Sequence, residues 1–379
     1  VPDPVIVEAV RTPVGKRGGA LAGQKPVALL RHVLRELLAR TGVPPGAVDQ
    51  VVGGCVTQVG EQGLNVTRNA WLATGLDYRA GCTTVDVSCG SGQQANHLVA
   101  ALIAIGVIEV GIACGVESMS RVPAGANVPG GVDQPKLPDY PWDDPPGVQF
   151  GGAERIARRY QLSRRELDEY GAWSQQRAAR AWAAGRFARE VVPVAGLRRD
   201  EGLRETTVET LADLPPVRSG GLHTAGTSSQ VSDGAAAVLW AARDRAAALG
   251  LRPRARLRHQ VVTGADPYLL LDGPVLATRR LLDRAGLALS DLDVVEVNEA
   301  FAAVVLAWAR QHRAELDRVN VNGGAIALGH PMGATGCRLI ATALHELERT
   351  GGELALVTMC CGGAQGTASL LQRVTGGRA

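Results

Sequence analysis

Aromatic residues are scarce in this chain: they make up 4% of 379 residues, while glycine alone accounts for 47. A core cannot then be built on large rings. It has to be built on Ala, Val and Leu, with close approaches of backbone to backbone. The seven cysteines are an odd number with no CxxC pair, and the seven histidines have no ligand spacing. That excludes a disulfide framework and argues against a zinc site. No excess of charge is present: 40 Lys and Arg face 37 Asp and Glu, for a net charge of +3. The arginines are dispersed, so nothing calls for nucleic acid or another polyanion. No apolar run approaches the roughly 18–20 residues of a membrane span. The opening VPDPVIVEAVRTPVGK carries an early acid and no long apolar segment, unlike a secretory signal. The chain reads as a soluble, cytoplasmic protein without a membrane partner. Its length suggests two or three domains.

What is present begins with Thr83–Gly115, TTVDVSCGSGQQANHLVAALIAIGVIEVGIACG. Thr83–Val87 alternates like a strand, Gly90–Gly92 is a turn, Gln93–Ile105 has helical composition, and Val107–Cys114 reads as a buried strand. This is the sense of a right-handed βαβ crossover. Cys89 sits where the helix begins. A helix N-terminus offers unpaired N–H groups and about half a positive charge, and both favour a thiolate over a thiol. A small buried core cysteine explains the position equally well.

Elsewhere, Val5–Val10 and Val48–Cys55 read as strands, and Val27–Arg40 as an amphipathic helix closed by Gly42 and Pro44. A further helix is predicted through Asn65–Thr74. Arg121–Gly152 holds Pro123, Pro129, Pro135, Pro138, Pro141, Pro145 and Pro146 and is too long for a simple connection. Ala153–Tyr160 is helical. Ser163 and Glu166 form a capping box that opens a helix to about Phe187. The apolar run Ala235–Trp240 then returns to core composition, followed by a short helix at Arg243–Leu249. Pro253 marks a boundary. We divide the chain into a first half (1–118), an inserted helical loop lobe (119–231), a return to the first half (232–252) and a second half (253–379).

The halves are suggested by an internal repeat. LLARTGVPPGAVDQV (Leu37–Val51) aligns without gaps to LLDRAGLALSDLDVV (Leu281–Val295), with Gly42/Gly286 and Asp49/Asp293 among the identities. In pattern, Val85–Gly115 has a counterpart in a strand at Val319–Asn322, a glycine-rich turn through His330, a helix near Cys337–Arg349 and a strand at Leu354–Met359. Two duplicated α/β halves can aim their loops at one crevice at the carboxyl ends of the strands. Cys89 falls in such a loop of the first half, and Asn298, His330 and Cys360 in loops of the second. On local sequence Asn298, in VNEAFA, reads first as a helix N-cap. His330 lies in the glycine-rich GGAIALGHPMGATG, where backbone and substrate can approach closely. Cys360 and Cys361 end a strand before a second glycine turn, and two small buried apolar residues would also fit there.

DVSCGSGQQA, VNEAFA, NGGAIALGHPMGATG and MCCGGAQG, in this order and spacing, resemble the four signature segments of the thiolases. HTAGTSSQVSDGAAA resembles a fifth, CoA-contacting segment. The resemblance covers nearly the whole chain. It implies a layered α-β-α-β-α arrangement of the duplicated halves, with the inserted lobe serving substrate, CoA and oligomer contacts. It implies that Cys89 attacks the keto carbon of a 3-ketoacyl-CoA and carries the acyl group. His330 would take the Cys89 proton and, with a water held by Asn298, form one oxyanion hole. Cys360 would protonate the leaving enolate. The backbone N–H groups of Cys89 and Gly362 would form the second oxyanion hole, and Ser229 would contact pantetheine.

The implied partners are acyl-CoA and CoA, with CoA a substrate and no cofactor or metal, in a homodimer or homotetramer. The wording of GCVTQVGEQ, CGSGQQANHL and LDGPV resembles steroid side-chain thiolases and implies a bulky acyl group. An acetoacetyl-CoA-forming enzyme and a non-catalytic acyl-CoA-binding subunit are the alternatives; the retention of all four reactive residues disfavours the second. The chain departs from the family pattern at Thr227, Gln230, Cys361 and Ala364. It also lacks the His-Met element of acetoacetyl-specific enzymes near Gln149–Ala157.

Overall fold

The computed structural model describes residues 1–131 and 135–374. Its strands are β1 (Pro4–Arg11), β2 (Gly15–Lys16), β3 (Gln50–Gly54), β4 (Gly81–Val85), β5 (Val110–Ser118), β6 (Ser232–Ala242), β7 (Ala255–Gly264), β8 (Val294–Val297), β9 (Leu354–Cys361) and β10 (Gln365–Arg373). The helices are α1 (Pro26–Thr41), α2 (Val66–Ala73), α3 (Ser91–Ala104), α4 (Gln149–Arg159), α5 (Arg164–Ala183), α6 (Val208–Ala212), α7 (Arg243–Ala248), α8 (Gly273–Ala285), α9 (Ala302–His312), α10 (Ala325–Leu328) and α11 (Met332–Thr350).

The repeat is realised twice, bond for bond. α1 buries Leu29, Leu30, Val33, Leu34, Leu37 and Leu38 on one face and stops at Gly42, whose φ of 68° is the left-handed conformation that glycine adopts without cost. α8 stops in the same way at Gly286, with φ of 64°. A short 3₁₀ turn and a strand follow each. Asp49 Oδ2 accepts from the N–H groups of Glu109 and Val110 at 2.8 and 2.9 Å. Asp293 Oδ2 accepts from Glu353 and Leu354 at 2.7 and 2.9 Å. The conserved-in-repeat aspartate thus fastens the start of one strand to the start of the next in both halves.

The sheet order is β4-β3-β5-β6-β1-β7-β10-β9-β8, with β2 added beside β6. In the first half β3 is parallel to β4 and β5, and β6 is antiparallel to β5 and β1. In the second half β8 is parallel to β9, and β10 is antiparallel to β9 and β7. The counterpart of β4 has shrunk to a single parallel bridge between Val295 and Val319. The strand expected at Val319–Asn322 is therefore not formed, because Asn320 turns its side chain into the bonds of β8 instead, accepting from Val297 N–H and donating to Val297 C=O at 2.8 Å each. The two half-sheets join through the pairs Val5–Arg256 and Ile6–Ala255.

Period-two alternation divides the residues of the central strands between two buried layers. Leu354 and Leu356 of β9 pack outward with α8 and α9, while Ala355, Val357 and Met359 pack inward. Val5, Val7 and Val10 of β1 face α1, and Ile6 and Ala9 face inward. The inward residues of both half-sheets meet α3 and α11, which form the middle layer. Outer helices, sheet, central helices, sheet and outer helices make the five layers. Ser232–Ala242 returns from the helical lobe to pair with β1 and β5.

Several expectations are corrected. β7 and β10 were not foreseen. α4 opens at Gln149 rather than Ala153, and α11 at Met332 rather than near Cys337. The capping box at Ser163 forms as expected, with Glu166 N–H on Ser163 Oγ at 3.2 Å and Ser163 N–H on Glu166 Oε2 at 2.7 Å. Three residues of the proline-rich stretch, 132–134, lie outside the described residues. Among the described residues no helix is long and apolar enough to cross a membrane.

Candidate active site

The turn from β4 into α3 is held by hydrogen bonds of the Asp86 and Ser91 side chains. Ser88 N–H donates to Asp86 Oδ1 at 2.7 Å, Val87 N–H to Ser91 Oγ at 2.9 Å, and Ser91 Oγ to Ser88 C=O at 2.6 Å. Ser88 takes the left-handed conformation, with φ of 47°, a strain of the kind found where a side chain must be aimed. Cys89 follows it at the start of α3 and is 7% exposed. The backbone N–H groups of Cys89 itself and of Gly362 lie near enough to its Sγ to favour negative charge there. A Cβ on Gly362 would stand 2.9 Å from Ser88 Oγ, so the two segments approach closely here.

Helix-terminus chemistry favours a thiolate at Cys89, but burial wins. Desolvation pushes the thiol up to about 12, against the smaller opposing effect of the two N–H groups. The resting group is a thiol, and it requires a base.

Two of the remaining candidate residues, Asn298 and His330, lie side by side in the second half. Asn298 does not cap α9: the helix starts at Ala302 and Phe301 occupies the cap position. Asn298 instead prolongs β8, its N–H donating to Thr358 C=O at 2.9 Å. Its amide Nδ2 lies 3.4 Å from His330 Nε2, and no protein group pairs with its buried Oδ1 among the described residues. His330 is fixed by Ser232 Oγ on its N–H at 3.0 Å and by Thr335 Oγ1 on Nδ1 at 2.7 Å. Burial, with a smaller effect of Arg338, pushes the imidazole down to about 3, so the ring is neutral around pH 7.

Close backbone contact brings the starts of α3 and α11 together. A Cβ on Gly336 would lie 2.0 Å from Gln93 N, and one on Gly92 would lie 2.7 Å from Gly333 C=O. Glu117, unforeseen from sequence, ties the start of α11 to the loop that follows β3 through one carboxylate. Its Oε2 accepts from Val56 and Gly333 N–H at 3.0 Å each, and its Oε1 from Thr57 N–H at 3.0 Å and Gln62 Nε2 at 2.8 Å. It also acts electrostatically on Cys89. The available signal was an acid ending the apolar run of β5, since a fully buried carboxylate must be paired.

Cys360 and Cys361 leave β9 on opposite faces. Cys360 joins the outer cluster that contains Phe301. Cys361 Sγ turns to Thr367 and to the Gly90 N–H, and a Cβ at Gly90 would stand 2.5 Å from it. Burial pushes both thiols up, and each is close enough to Cys89 for a thiolate there to raise it further. Ser229 is half-buried in a loop whose N–H donates to Ala300 C=O at 2.9 Å. The loop thereby sits against the Asn298 segment. Phe150, at the start of α4, stacks edge-on against Phe301 at 4.9 Å and makes an apolar wall beside it.

Residues 4–244 match the family "Thiolase, N-terminal domain" and residues 251–373 match "Thiolase, C-terminal domain". The chain belongs to the thiolase family. A steroid 3-ketoacyl-CoA thiolase, FadA6 of Mycobacterium tuberculosis, is 45% identical over 381 residues, covering 97% of this chain and 94% of that protein. A β-ketoadipyl-CoA thiolase of Escherichia coli is 43% identical over 396 residues, covering 97% and 99%. The solved structure of human mitochondrial 3-ketoacyl-CoA thiolase in complex with CoA superposes with a TM-score of 0.90 at 38% identity, covering 99% and 98%.

As a thiolase the chain is an acyltransferase, and its departures from the family pattern have structural roles. Thr227 Oγ1 accepts from Thr224 N–H at 2.9 Å, closing the loop before Ser229. Gln230 Nε2 donates to Gly202 and Ile326 C=O at 3.0 and 2.9 Å, pinning the other end. Ala364 holds φ of 54°, which accounts for the glycine that is usual there. All seven cysteines are free thiols, and no cluster of His, Cys, Asp or Glu suited to a metal occurs among the described residues.

Proposed function

We propose that this thiolase is degradative. It cleaves a 3-ketoacyl-CoA with CoA, releasing acetyl-CoA (or propionyl-CoA) and a shortened acyl-CoA through an acyl-enzyme on Cys89. The observation that supports the mechanism is the pair of backbone N–H groups, of Cys89 and Gly362, that favour negative charge at Cys89. Such a pair would donate to the oxygen on which negative charge develops as the Cys89 thioester forms and breaks, and one such donor is typically worth about 2.7–4 kcal/mol.

In the first half-reaction Cys89 Sγ bonds to the keto carbon and its proton passes to His330 Nε2. The low proton affinity of the buried imidazole and the high affinity of the buried thiolate disfavour a resting ion pair, so the proton moves as the carbon is attacked. The new Nε2–H and the Asn298 amide then face the developing oxyanion. As the carbon–carbon bond breaks, the Cys360 thiol protonates the enolate carbon and acetyl-CoA leaves. In the second half-reaction the thiol of CoA returns a proton to Cys360 and attacks the acyl-enzyme. His330 gives its proton back to the departing Cys89. Acid–base work of this kind contributes on the order of 10²–10⁴ in rate, and the two halves predict ping-pong kinetics. Ser229 contacts the pantetheine arm.

A bulky, steroid-type acyl group is the substrate we favour, supported by the 45% identity to a steroid 3-ketoacyl-CoA thiolase. A chain of 44% identity is named acetyl-CoA acetyltransferase, which supports acetoacetyl-CoA chemistry as the second reading. The deciding experiment is thiolysis across 3-ketoacyl-CoA esters from four carbons to steroid side chains. A higher kcat/KM for acetoacetyl-CoA removes the steroid reading, and absence of thiolysis on every ester removes the degradative one. We also propose a homodimer or homotetramer, with the lobe (119–231) supplying contacts. Leu137 and Trp142, 71% and 59% exposed on its proline-rich loop, support this. Light scattering on the purified chain tests it, and a monomer would refute it.

A further inference from the structure

We infer that Thr335 sets the tautomer of His330, holding the proton on Nδ1 and leaving Nε2 bare to act as the base. This positioning role rests on the thiolase reading of the site. The argument is one of counting protons. Thr335 lies in the first turn of α11 and is fully buried. Its hydroxyl carries a single hydrogen, and that hydrogen is donated to Pro331 C=O at 2.9 Å, an atom that can only accept. The contact between Thr335 Oγ1 and His330 Nδ1 is 2.7 Å, so a hydrogen lies between them. With the Thr335 hydrogen given to Pro331 C=O, the hydrogen between Thr335 and the ring belongs to Nδ1.

The opposite edge of the ring agrees. The group facing His330 Nε2 is the Asn298 amide Nδ2 at 3.4 Å, a donor looking at a lone pair. A neutral imidazole has one donor and one acceptor nitrogen, and the hydrogen bond made by one decides the state of the other. With Nδ1–H committed to Thr335, the only place for the Cys89 proton is Nε2. After that transfer the ring has N–H on both nitrogens: Nδ1–H still donates to Thr335 Oγ1, and Nε2–H becomes an oxyanion donor. The same atom thus serves in turn as base and as donor, with no rotation of the ring.

The position of Thr335 follows from the helix. Pro331 occupies the cap of α11, and its carbonyl accepts from the backbone N–H groups of Ala334 and Thr335 at 2.9 and 3.0 Å as well as from the Thr335 hydroxyl. A β-branched residue with a hydroxyl at this position reaches back to its own helix start and forward to the ring at once. Valine has the same shape but no acceptor. In Thr335→Val, Nδ1–H loses its partner and the ring is free to adopt the Nε2–H form, which cannot take a proton from Cys89.

The test uses the full-length protein. Acylation of Cys89 by the shortened acyl-CoA product of the ester it cleaves best is followed as the burst of free CoA. Thr335→Val should acylate about tenfold to a thousandfold more slowly, between the loss of one hydrogen bond and a wrongly protonated base. Its KM should stay within about twofold, and Thr335→Ser, which keeps the hydroxyl, should recover most of the rate. Ring-nitrogen NMR of ¹⁵N-histidine-labelled protein, with the His330 signal assigned by its loss in His330→Asn, reads the tautomer without turnover. Wild type should show a protonated Nδ1 and a bare Nε2, and Thr335→Val a gain of Nε2–H. A wild-type Nε2–H, or a Thr335→Val variant that acylates at the wild-type rate, overturns the inference. If Thr335→Val does not fold, the wild-type spectrum alone decides. A wild type that never acylates would refute the thiolase reading instead, while the spectrum would still report on Thr335.

Discussion

Substituting alanine for Gly336 tests whether backbone contact between α3 and α11 is what holds the two halves of the site together. The added Cβ would lie 2.0 Å from Gln93 N and 2.7 Å from Gly92 C. These are main-chain atoms, so no rotamer change can clear them. The first distance is about 1.4 Å short of ordinary contact at 3.4 Å, and the helices must move apart by a comparable amount. Overpacking of this kind costs about 1–3 kcal/mol, and a rigid main-chain neighbour places Gly336→Ala at or beyond the upper end. The helix starts carry Cys89 and His330, and displacement of reacting groups by 1 Å costs about 10²-fold in rate. We expect a loss of about 3 kcal/mol in urea denaturation and a fall of about 10²-fold in kcat/KM for thiolysis. Gly23→Ala is the control, because nothing lies within 4 Å of its added Cβ and no positive φ is imposed. It should change stability by no more than about 0.5 kcal/mol. A Gly336→Ala protein matching that control in stability and activity would refute this account of the packing.

Cys360→Ala should still acylate at Cys89 from an acyl-CoA but should lose carbon–carbon cleavage by about 10²–10⁴-fold; normal cleavage in a thiolysis assay would exclude Cys360 as the acid. Cys361→Val should retain cleavage within a few-fold, since its Sγ faces Thr367 and Gly90 on the other side of β9, and loss of acylation there would exchange the roles assigned to the two thiols. Buried His97, whose Nε2 lies 2.7 Å from Ser369 Oγ, is pushed down to about 3 by desolvation. Its folded value lies below the unfolded value of about 6.5, so the unfolded chain binds the extra proton and stability falls with pH between those limits. The stability difference between wild type and His97→Gln should therefore shift against wild type by about 1.4 kcal/mol per pH unit below about 6.5. Parallel pH profiles in urea denaturation would contradict that burial.

The parts of the fold that follow local rules were legible from the sequence. Gly42 and Gly286 end their helices in the left-handed conformation, and Asp49 and Asp293 make the same bonds 244 residues apart by number, so the repeat predicted a real duplication. β10 was missed because one of its two buried faces is polar. Thr367 and Ser369 are fully buried, and their hydroxyls bond to Gln93 and His97 rather than filling an apolar layer. β7 was missed because ARLRHQVVTG mixes charge and apolar residues in a strand that is only partly covered. Asn298 looked like a cap because the helix start four residues later has no side-chain cap of its own. The state of Cys89 could not be read locally either. Helix position argues for a thiolate, but the burial that reverses the balance comes from β9, β10 and the second half of the chain.

The most direct test of the central claim is to mix the protein with the acyl-CoA ester it cleaves, quench within the first turnover and map the acyl group by peptide mass spectrometry. The account predicts one thioester adduct, on Cys89, abolished in Cys89→Ala and discharged by added CoA. An adduct on Cys360, Cys361 or any other cysteine, or cleavage by Cys89→Ala, would contradict it.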